Sequence, residues 1–283
     1  MNPSFLNKVA ILTGAGGGIG EAIALRLDAL GYKLLLCDIQ KQKLEILSAK
    51  LKTKPDFYIF DLTDPEQVEV NAKKILNDHP KIDVLVNNAG YAKEGAFLSL
   101  DISEIYRHFE INLLSGLRLM HTIAPRMVEQ REGAIVCIVS MGAITALADS
   151  ALYSSAKFGL RGFLTAFHEE LKKTGVKVSG VYPAAVDTPM LLHEAMHGGS
   201  VLNWLSDVQS PDAVAKAVLK GIQKGTMEIY VPYGEGLLAR VTAVFPWFVG
   251  FLSPILLWLG ERGRRKWLKA KGIDPISFSP IAK

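Results

Sequence analysis

With 283 residues, the chain is long enough for one large α/β domain or two small ones. Hydrophobic residues make up 49% and charged residues 21%, a composition unlike that of disordered chains or nucleic-acid binders, and the net charge is a mild +4. Much of the basic excess lies near the C-terminus and describes that tail more than the whole surface. Cys37 and Cys137 both sit inside apolar runs, where inert core thiols are expected and a disulfide framework has no support. The chain does not open on a charged segment followed by a long apolar one, so no signal peptide is expected and a cytoplasmic domain is.

In chain order, Lys8–Thr13 is a compact apolar run that stops at glycines and predicts a first strand. A helical period over Ile19–Leu30 follows, then a second strand at Lys33–Asp38 and a charged helical pattern through Lys52. Further strands are expected at Phe57–Phe60, Ile82–Val86, Ala134–Val139 and Val176–Tyr182. Helices are expected over Pro65–Asn77, Ala151–Lys173 and, as one long amphipathic element, Ile102–Gln130. Ser210 as cap and Pro211 at the first position open a helix to Lys224, and a seventh strand is placed at Glu228–Val231. Short, mostly non-alternating runs of Val, Ile and Leu are how strands buried on both faces read. Their alternation with helices argues for a doubly wound parallel sheet of about seven strands with helices on both faces. No internal repeat, low-complexity segment or interdomain linker is visible.

Thr13-Gly14-Ala15-Gly16-Gly17-Gly18-Ile19-Gly20 joins the first strand to the first helix. A dinucleotide pyrophosphate must approach backbone N–H groups at a helix N-terminus, where a Cβ would obstruct it. Gly14, Gly18 and Gly20 supply that clearance, although the spacing G-x-x-x-G-x-G is not the commonest fingerprint, and a flexible tight turn is the plainer alternative. Asp38 ends the second strand, where a carboxylate can accept hydrogen bonds from an adenosine ribose and repel a 2′-phosphate. No Arg or Lys stands at positions 39 or 40, so NAD is expected over NADP, although Lys41 and Lys43 are near. A local cap is the competing role for Asp38.

Tyr153 and Lys157 are spaced i, i+4 near the start of a predicted helix, so both reach one cleft. A free phenol titrates near 10 and is a poor base at neutral pH, and a nearby ammonium lowers that value. Alone, this pair would read as a half-exposed aromatic over a solvated lysine. Ser140, however, ends the fifth strand, and the carboxyl ends of parallel strands are where open α/β sheets bind ligands. Asn87-Asn88-Ala89-Gly90 ends the fourth strand and offers small, polar lining. Asn112, alone, reads as a helix-surface amide.

Together these motifs resemble those of the short-chain dehydrogenase/reductase family, over about residues 7 to 232: T-G-x-x-x-G-I-G at Thr13–Gly20, N-N-A-G at Asn87–Gly90, Ser140, and Y-x-x-x-K at Tyr153–Lys157, in the family's order. The resemblance implies a single Rossmann-type domain, residues 1–235, that moves hydride between a nicotinamide cofactor and a carbonyl or alcohol. It implies Tyr153 as general acid/base, Lys157 lowering its pKa and binding the nicotinamide ribose, Ser140 orienting the substrate oxygen, and Asn112 holding a relay water. Cofactor contacts are implied at Thr13, Gly14, Gly18, Ile19, Gly20, Asp38, Asp61, Leu62, Asn88, Ala89, Gly90, Tyr153, Lys157, Pro183, Val186 and Thr188. The family often has Pro-Gly where this chain has Pro183-Ala184, an added methyl that narrows the site. The resemblance also implies a homodimer or homotetramer and a mobile lid at about 189–209.

Met190, Leu191, Leu192, Met196, Leu202 and Trp204 in that lid suggest an apolar pocket, with core packing as the alternative. His193 and His197 share a helical face, but no acidic or Cys ligand accompanies them, and no metal is expected. Residues 236–283 form a hydrophobic and basic C-terminal extension that is expected to be helical. Val241–Gly260 carries no charge and includes Phe245, Trp247, Phe248, Phe251, Leu252, Leu256, Leu257 and Trp258; Arg262, Arg264, Arg265, Lys266, Lys269 and Lys271 follow. A membrane-surface or re-entrant anchor on the cytoplasmic face, a cover over the cleft or a subunit interface, and a spanning helix weakened by Pro246 and Pro254 all remain open. The expected activity is NAD-dependent interconversion of a hydrophobic alcohol and ketone, lipid-, sterol- or retinoid-like. An NADPH-dependent carbonyl reductase and a nicotinamide-binding regulator without turnover are the alternatives, and no nucleic acid is involved.

Overall fold

The computed structural model describes residues 8–93, 95–197 and 199–274, and of residues 246–253 the backbone alone. Trp247, Phe248, Phe251 and Leu252, as side chains, and the two ends of the chain therefore lie outside the described parts. Seven strands form one parallel sheet: β1 (Val9–Thr13), β2 (Lys33–Asp38), β3 (Asp56–Ile59), β4 (Val84–Asn87), β5 (Gly133–Ile138), β6 (Val176–Pro183) and β7 (Glu228–Val231). Their order across the sheet is β3-β2-β1-β4-β5-β6-β7. The chain leaves β1 in one direction for β2 and β3, and from β4 onward builds in the other. That reversal opens a crevice beyond the carboxyl ends of β1 and β4, the place where doubly wound sheets take ligands.

Burial explains the strand pattern. Ala10 and Leu12 face one layer and Ile11 the other, all fully buried. One layer is covered by α3 (Pro65–Asp78), α5 (Ser115–Gln130) and α6 (Ala151–Leu171), the other by α1 (Gly18–Ala29), α2 (Lys41–Ser48) and α8 (Pro211–Lys224). Two helix starts are fixed locally. Asp64 accepts from the N–H groups of Glu66 and Gln67, and Ser210 from that of Ala213, each before a proline at the first helical position. Such caps are each worth about 1 kcal/mol. Both cysteines are free and buried, and burial pushes their thiols upward, Cys137 to about 12.

One expected element differs. The long helix over Ile102–Gln130 is broken into α4 (Ser103–Phe109), a π-turn (Glu110–Leu114) and α5. The cause is Asn112, whose Nδ2 donates to the carbonyl of His108 one turn back and to that of Tyr91 in another loop. A side chain that claims a carbonyl of its own helix competes with the regular ladder.

After β6 the chain forms α7 (Pro189–His197) and a short turn (Val201–Trp204). A two-way bridge closes this excursion at its base: Asp187 N–H donates to Gln209 and Gln209 N–H to Ala185, both at 2.8 Å. Beyond β7 come α9 (Tyr233–Val244) and α10 (Pro246–Ala270). Leu268 of α10 joins Leu191, Ala195 and Trp204 in a small core of its own. Among the described residues no helix is long and apolar enough to cross a membrane. The uncharged run is split at Phe245-Pro246, which ends α9 and starts α10.

Candidate active site

The loop after β1 is shaped by close contacts. Gly14 has φ +61°, and a Cβ there would lie 2.8 Å from Ala89 Cα. A Cβ on Gly20 would lie 2.2 Å from the Gly14 carbonyl oxygen, so this turn admits glycine alone. Thr13 locks it to the loop after β4: its Oγ1 accepts from the N–H groups of Asn88 (3.0 Å) and Ala89 (3.1 Å). Asn88 Nδ2 in return donates to the carbonyls of Thr13 and Gly14, each at 3.0 Å. Thr13, Asn88 and Ala89 thus hold the two loops together. α1 starts behind Gly17 with no side chain on its first N–H groups, and Gly18, Ile19 and Gly20 line the cavity in front of it. This glycine cradle with unclaimed helix N–H groups fits a dinucleotide pyrophosphate.

Asp38 lies beside the cradle. Its Oδ2 accepts from Gly16 N–H and its Oδ1 from Gln40 N–H, both at 2.9 Å. The carboxylate is therefore a local cap and a wall of the cavity at once. Lys43 lines the same end. Asp61 and Leu62 line it one strand further out, Asp61 accepting from Thr63 N–H at 2.8 Å.

The second half of the site lies at the ends of β4, β5 and β6. Ser140 Oγ accepts from Gly142 N–H at 3.0 Å. A Cβ on Gly142 would lie 3.3 Å from that hydroxyl and 3.2 Å from Tyr153 Cε1, so Ser140 and Tyr153 flank one glycine. Lys157 Nζ is 5.7 Å from the centroid of the Tyr153 ring. Lys157 is 3% exposed and donates to the Ile138 carbonyl at 3.0 Å. Burial pulls its ammonium from 10.5 down to about 8. On the far side of Lys157, a Cβ on Gly90 would lie 3.9 Å from Nζ and 3.5 Å from Asn112 Oδ1. Ser140, Tyr153, Lys157 and Asn112 thus converge around two glycines. Asn112 is 1% exposed, which replaces the reading of it as a surface amide. Both its N–H bonds go to carbonyls, and its Oδ1 accepts from Tyr91 N–H at 3.1 Å.

Pro183, Val186 and Thr188 close the cavity over the sheet, with Thr188 packed 3.1 Å from where a Gly18 Cβ would lie. The whole cavity measures about 1440 Å³ and runs from Asp38 past Tyr153 to the lid and tail. Met141, Leu147, Ala184, Met190, Leu202 and Leu205 line its end away from Asp38. So do Leu238, Val241, Thr242 and Leu256 of α9 and α10; a cover over the cleft is one of the readings left open for the run from Val241, whereas Leu238 lies before that run and has no such expectation. The lack of charge in that run does not single out which residues face the cavity, because only the fold carries α9 from the end of β7 back to the loop after β5. Thr145 at the cavity wall hydrogen-bonds Thr242, fixing α9 there. Arg264 was also missed as a structural residue: it is buried, donates to the Ala195 carbonyl at 2.9 Å, and is bracketed by Glu261. His193 and His197 stack at 4.1 Å, and among the described residues no group of three or more His, Cys, Asp or Glu could hold a metal.

The sequence profile of the short chain dehydrogenases matches residues 8–197. A dehydrogenase/reductase SDR family member 7B from Xenopus laevis is 28% identical over 278 residues, covering 93% of this chain and 84% of that protein. An estradiol 17-beta-dehydrogenase 11 from Mus musculus is 28% identical over 249 residues, covering 86% and 81%. Among solved structures, an actinorhodin polyketide ketoreductase with NADPH superposes with a TM-score of 0.73 at 28% identity, covering 80% of this chain and 95% of that one.

Proposed function

This chain belongs to the short chain dehydrogenase family and is an oxidoreductase acting on CH–OH groups with NAD(P), and from that premise we propose that it interconverts a hydrophobic secondary alcohol and its ketone with NAD, using Tyr153 as proton acceptor or donor. The observation that carries the reading is the convergence of Ser140, Tyr153 and Lys157 around Gly142 and Gly90, beside the glycine cradle. The nicotinamide, when bound, accepts or supplies the hydride. The cradle, Asp38, Asp61, Leu62, Asn88, Ala89, Gly90, Pro183, Val186 and Thr188 hold the dinucleotide.

The chain's own residues do the proton work. Ser140 Oγ, with one lone pair held by Gly142 N–H, turns its O–H toward the substrate oxygen. In the oxidative direction Tyr153, as phenolate, takes the alcohol proton; in reduction it returns it. The Lys157 ammonium beside the ring favours the phenolate and binds the nicotinamide ribose. Asn112 Oδ1 accepts from Tyr91 N–H, which leaves it one lone pair that suits a single relay water. Tyr153→Phe tests this: turnover should fall by about 10²–10⁴ while NADH binding, read by fluorescence, stays. Near-normal turnover would overturn the assignment.

For the cofactor, Asp38 ends β2 beside the glycine cradle, and a carboxylate at that position in the fold repels a 2′-phosphate, which supports NAD. Lys43 at the same end of the cavity favours NADPH as a second reading, and the ratio of kcat/KM with the two cofactors decides between them. For the substrate, the apolar lining from Met141 to Leu256 supports a lipid-, sterol- or retinoid-like molecule, as does likeness to a protein named for estradiol.

A further inference from the structure

Two faces of α10 do different things. Gly260, Gly263, Arg264 and Leu268 lie on one face, at helical spacing, and pack on the lid. A Cβ on Gly260 would lie 2.3 Å from the Val201 carbonyl oxygen, and one on Gly263 would lie 2.0 Å from that of Trp204. The backbones therefore meet directly, and this face is occupied. The other face carries Ile255, Trp258, Leu259 and Arg262, again at i, i+3, i+4 and i+7, and then Arg265, Lys266 and Lys269. All seven are exposed, Ile255 to 60% and Trp258 to 57%. α9 adds Leu237, Leu238, Val241 and Val244, and its cap adds Phe245, with Leu238 and Val244 each 69% exposed. Leu238 and Val241 also line the cavity, so the exposed apolar surface is continuous with the mouth of the substrate site.

We propose that this surface lies on an anionic phospholipid membrane, with the cavity mouth opening onto the bilayer. Three observations favour lipid over a protein partner. The charge-free run from Val241 to Gly260 is broken at Phe245-Pro246 into two helices, and among the described residues no helix is long and apolar enough to cross a membrane, so the run suits a seat in the interface of one leaflet. The apolar half of the exposed α10 face passes into its basic half through Trp258, whose ring carries Arg262 at 4.9 Å. An indole at the boundary with cations beyond it matches the order of hydrocarbon, interface and anionic headgroups. Finally, the opposite face of α10 packs on the lid, so the exposed surface and the wall of the site share one helix. Delivery of an alcohol from the bilayer rests on the hydrophobic-substrate reading above; docking itself does not.

The full chain is floated with vesicles of phosphatidylcholine alone and of phosphatidylcholine with phosphatidylserine, and its oligomeric state in vesicle-free buffer is read by sedimentation velocity. Binding to the anionic vesicles is expected, weaker on the neutral ones. Val244→Ser/Ile255→Ser/Trp258→Ser, none of which lines the cavity, should lose binding to both, and Arg262→Ser/Lys266→Ser should lose about fivefold per cation on the anionic ones alone. Wild type and the triple variant are also compared on a short water-soluble alcohol and on a long-chain secondary alcohol carried in vesicles. The triple variant should match wild type on the first and fall at least tenfold on the second. If the full chain stays with the soluble fraction, or if the triple variant turns a dimer into monomers without changing flotation, the docking proposal is wrong. If vesicles bind but neither alcohol reacts with either cofactor, docking stands and the proposed activity falls.

Discussion

Replacing Lys157 by Met separates what the lysine does for chemistry from what it does for folding. Its side chain is 3% exposed, and burial lowers its pKa from 10.5 to about 8. At 1.36 kcal/mol for each pH unit, carrying that charge in the folded state costs about 3 kcal/mol at neutral pH. Against this stands the hydrogen bond to the Ile138 carbonyl, whose loss leaves a buried acceptor at a cost of about 1–3 kcal/mol. Methionine has a similar shape and no charge, so Lys157→Met should be as stable as wild type at pH 7 or more stable by up to about 2 kcal/mol. The sign of the pH dependence follows from the lowered value. Between about 8 and 10.5 the unfolded chain holds the lysine proton and the folded chain does not. Wild-type stability therefore gains from this residue as pH rises through that window, and the cost is fully present below it. The variant lacks this gain. Urea unfolding of both proteins at pH 7 and pH 10, read as the difference between them so that other groups cancel, should show the balance moving toward wild type at the higher pH. Turnover of the variant should be lost by about 10² or more at either pH. A variant clearly less stable at pH 7, or a difference that does not change with pH, would refute the reasoning.

Other substitutions test other parts. Asp38→Ser removes the carboxylate at the cradle and should move the NAD-to-NADP ratio of kcat/KM toward NADP by about tenfold; an unchanged ratio would remove Asp38 from cofactor choice. Gly14→Ala places a Cβ 2.8 Å from Ala89 Cα at a left-handed φ, so NADH affinity should fall at least about tenfold, read by fluorescence titration. Gly263→Ala pushes α10 off the Trp204 carbonyl. It should cost about 1–3 kcal/mol of stability and raise the substrate KM with NADH affinity unchanged; a loss confined to NADH binding would contradict the lid's dependence on α10.

Much of the site is legible because its signals are local. Thr13 to Gly20 needs a strand, a turn and a helix start within a few residues, and the glycines report steric demands that the structure meets at Gly14 and Gly20. Tyr153 and Lys157 share a face because a helix has 3.6 residues per turn, whatever surrounds it. Strand burial is equally local: β2 and β7 keep their expected bounds because an apolar run two-sidedly buried looks the same in any doubly wound sheet. Asn112 is different. Its amide breaks the helix because Tyr91 lies within reach, and the backbone of Tyr91 arrives there from the end of β4. The C-terminal run is the clearest case. Its lack of charge between Arg240 and Glu261 demanded an apolar environment without naming one, since hydrocarbon, a cleft and a subunit face all satisfy the hydrophobic effect, which has no direction. Packing supplied the direction. Gly260 and Gly263 let α10 press its backbone on the lid, and with that face taken, Ile255 and Trp258 are left pointing away. Residue chemistry and period were determined by the sequence alone; which face meets which neighbour was decided only when distant segments came together.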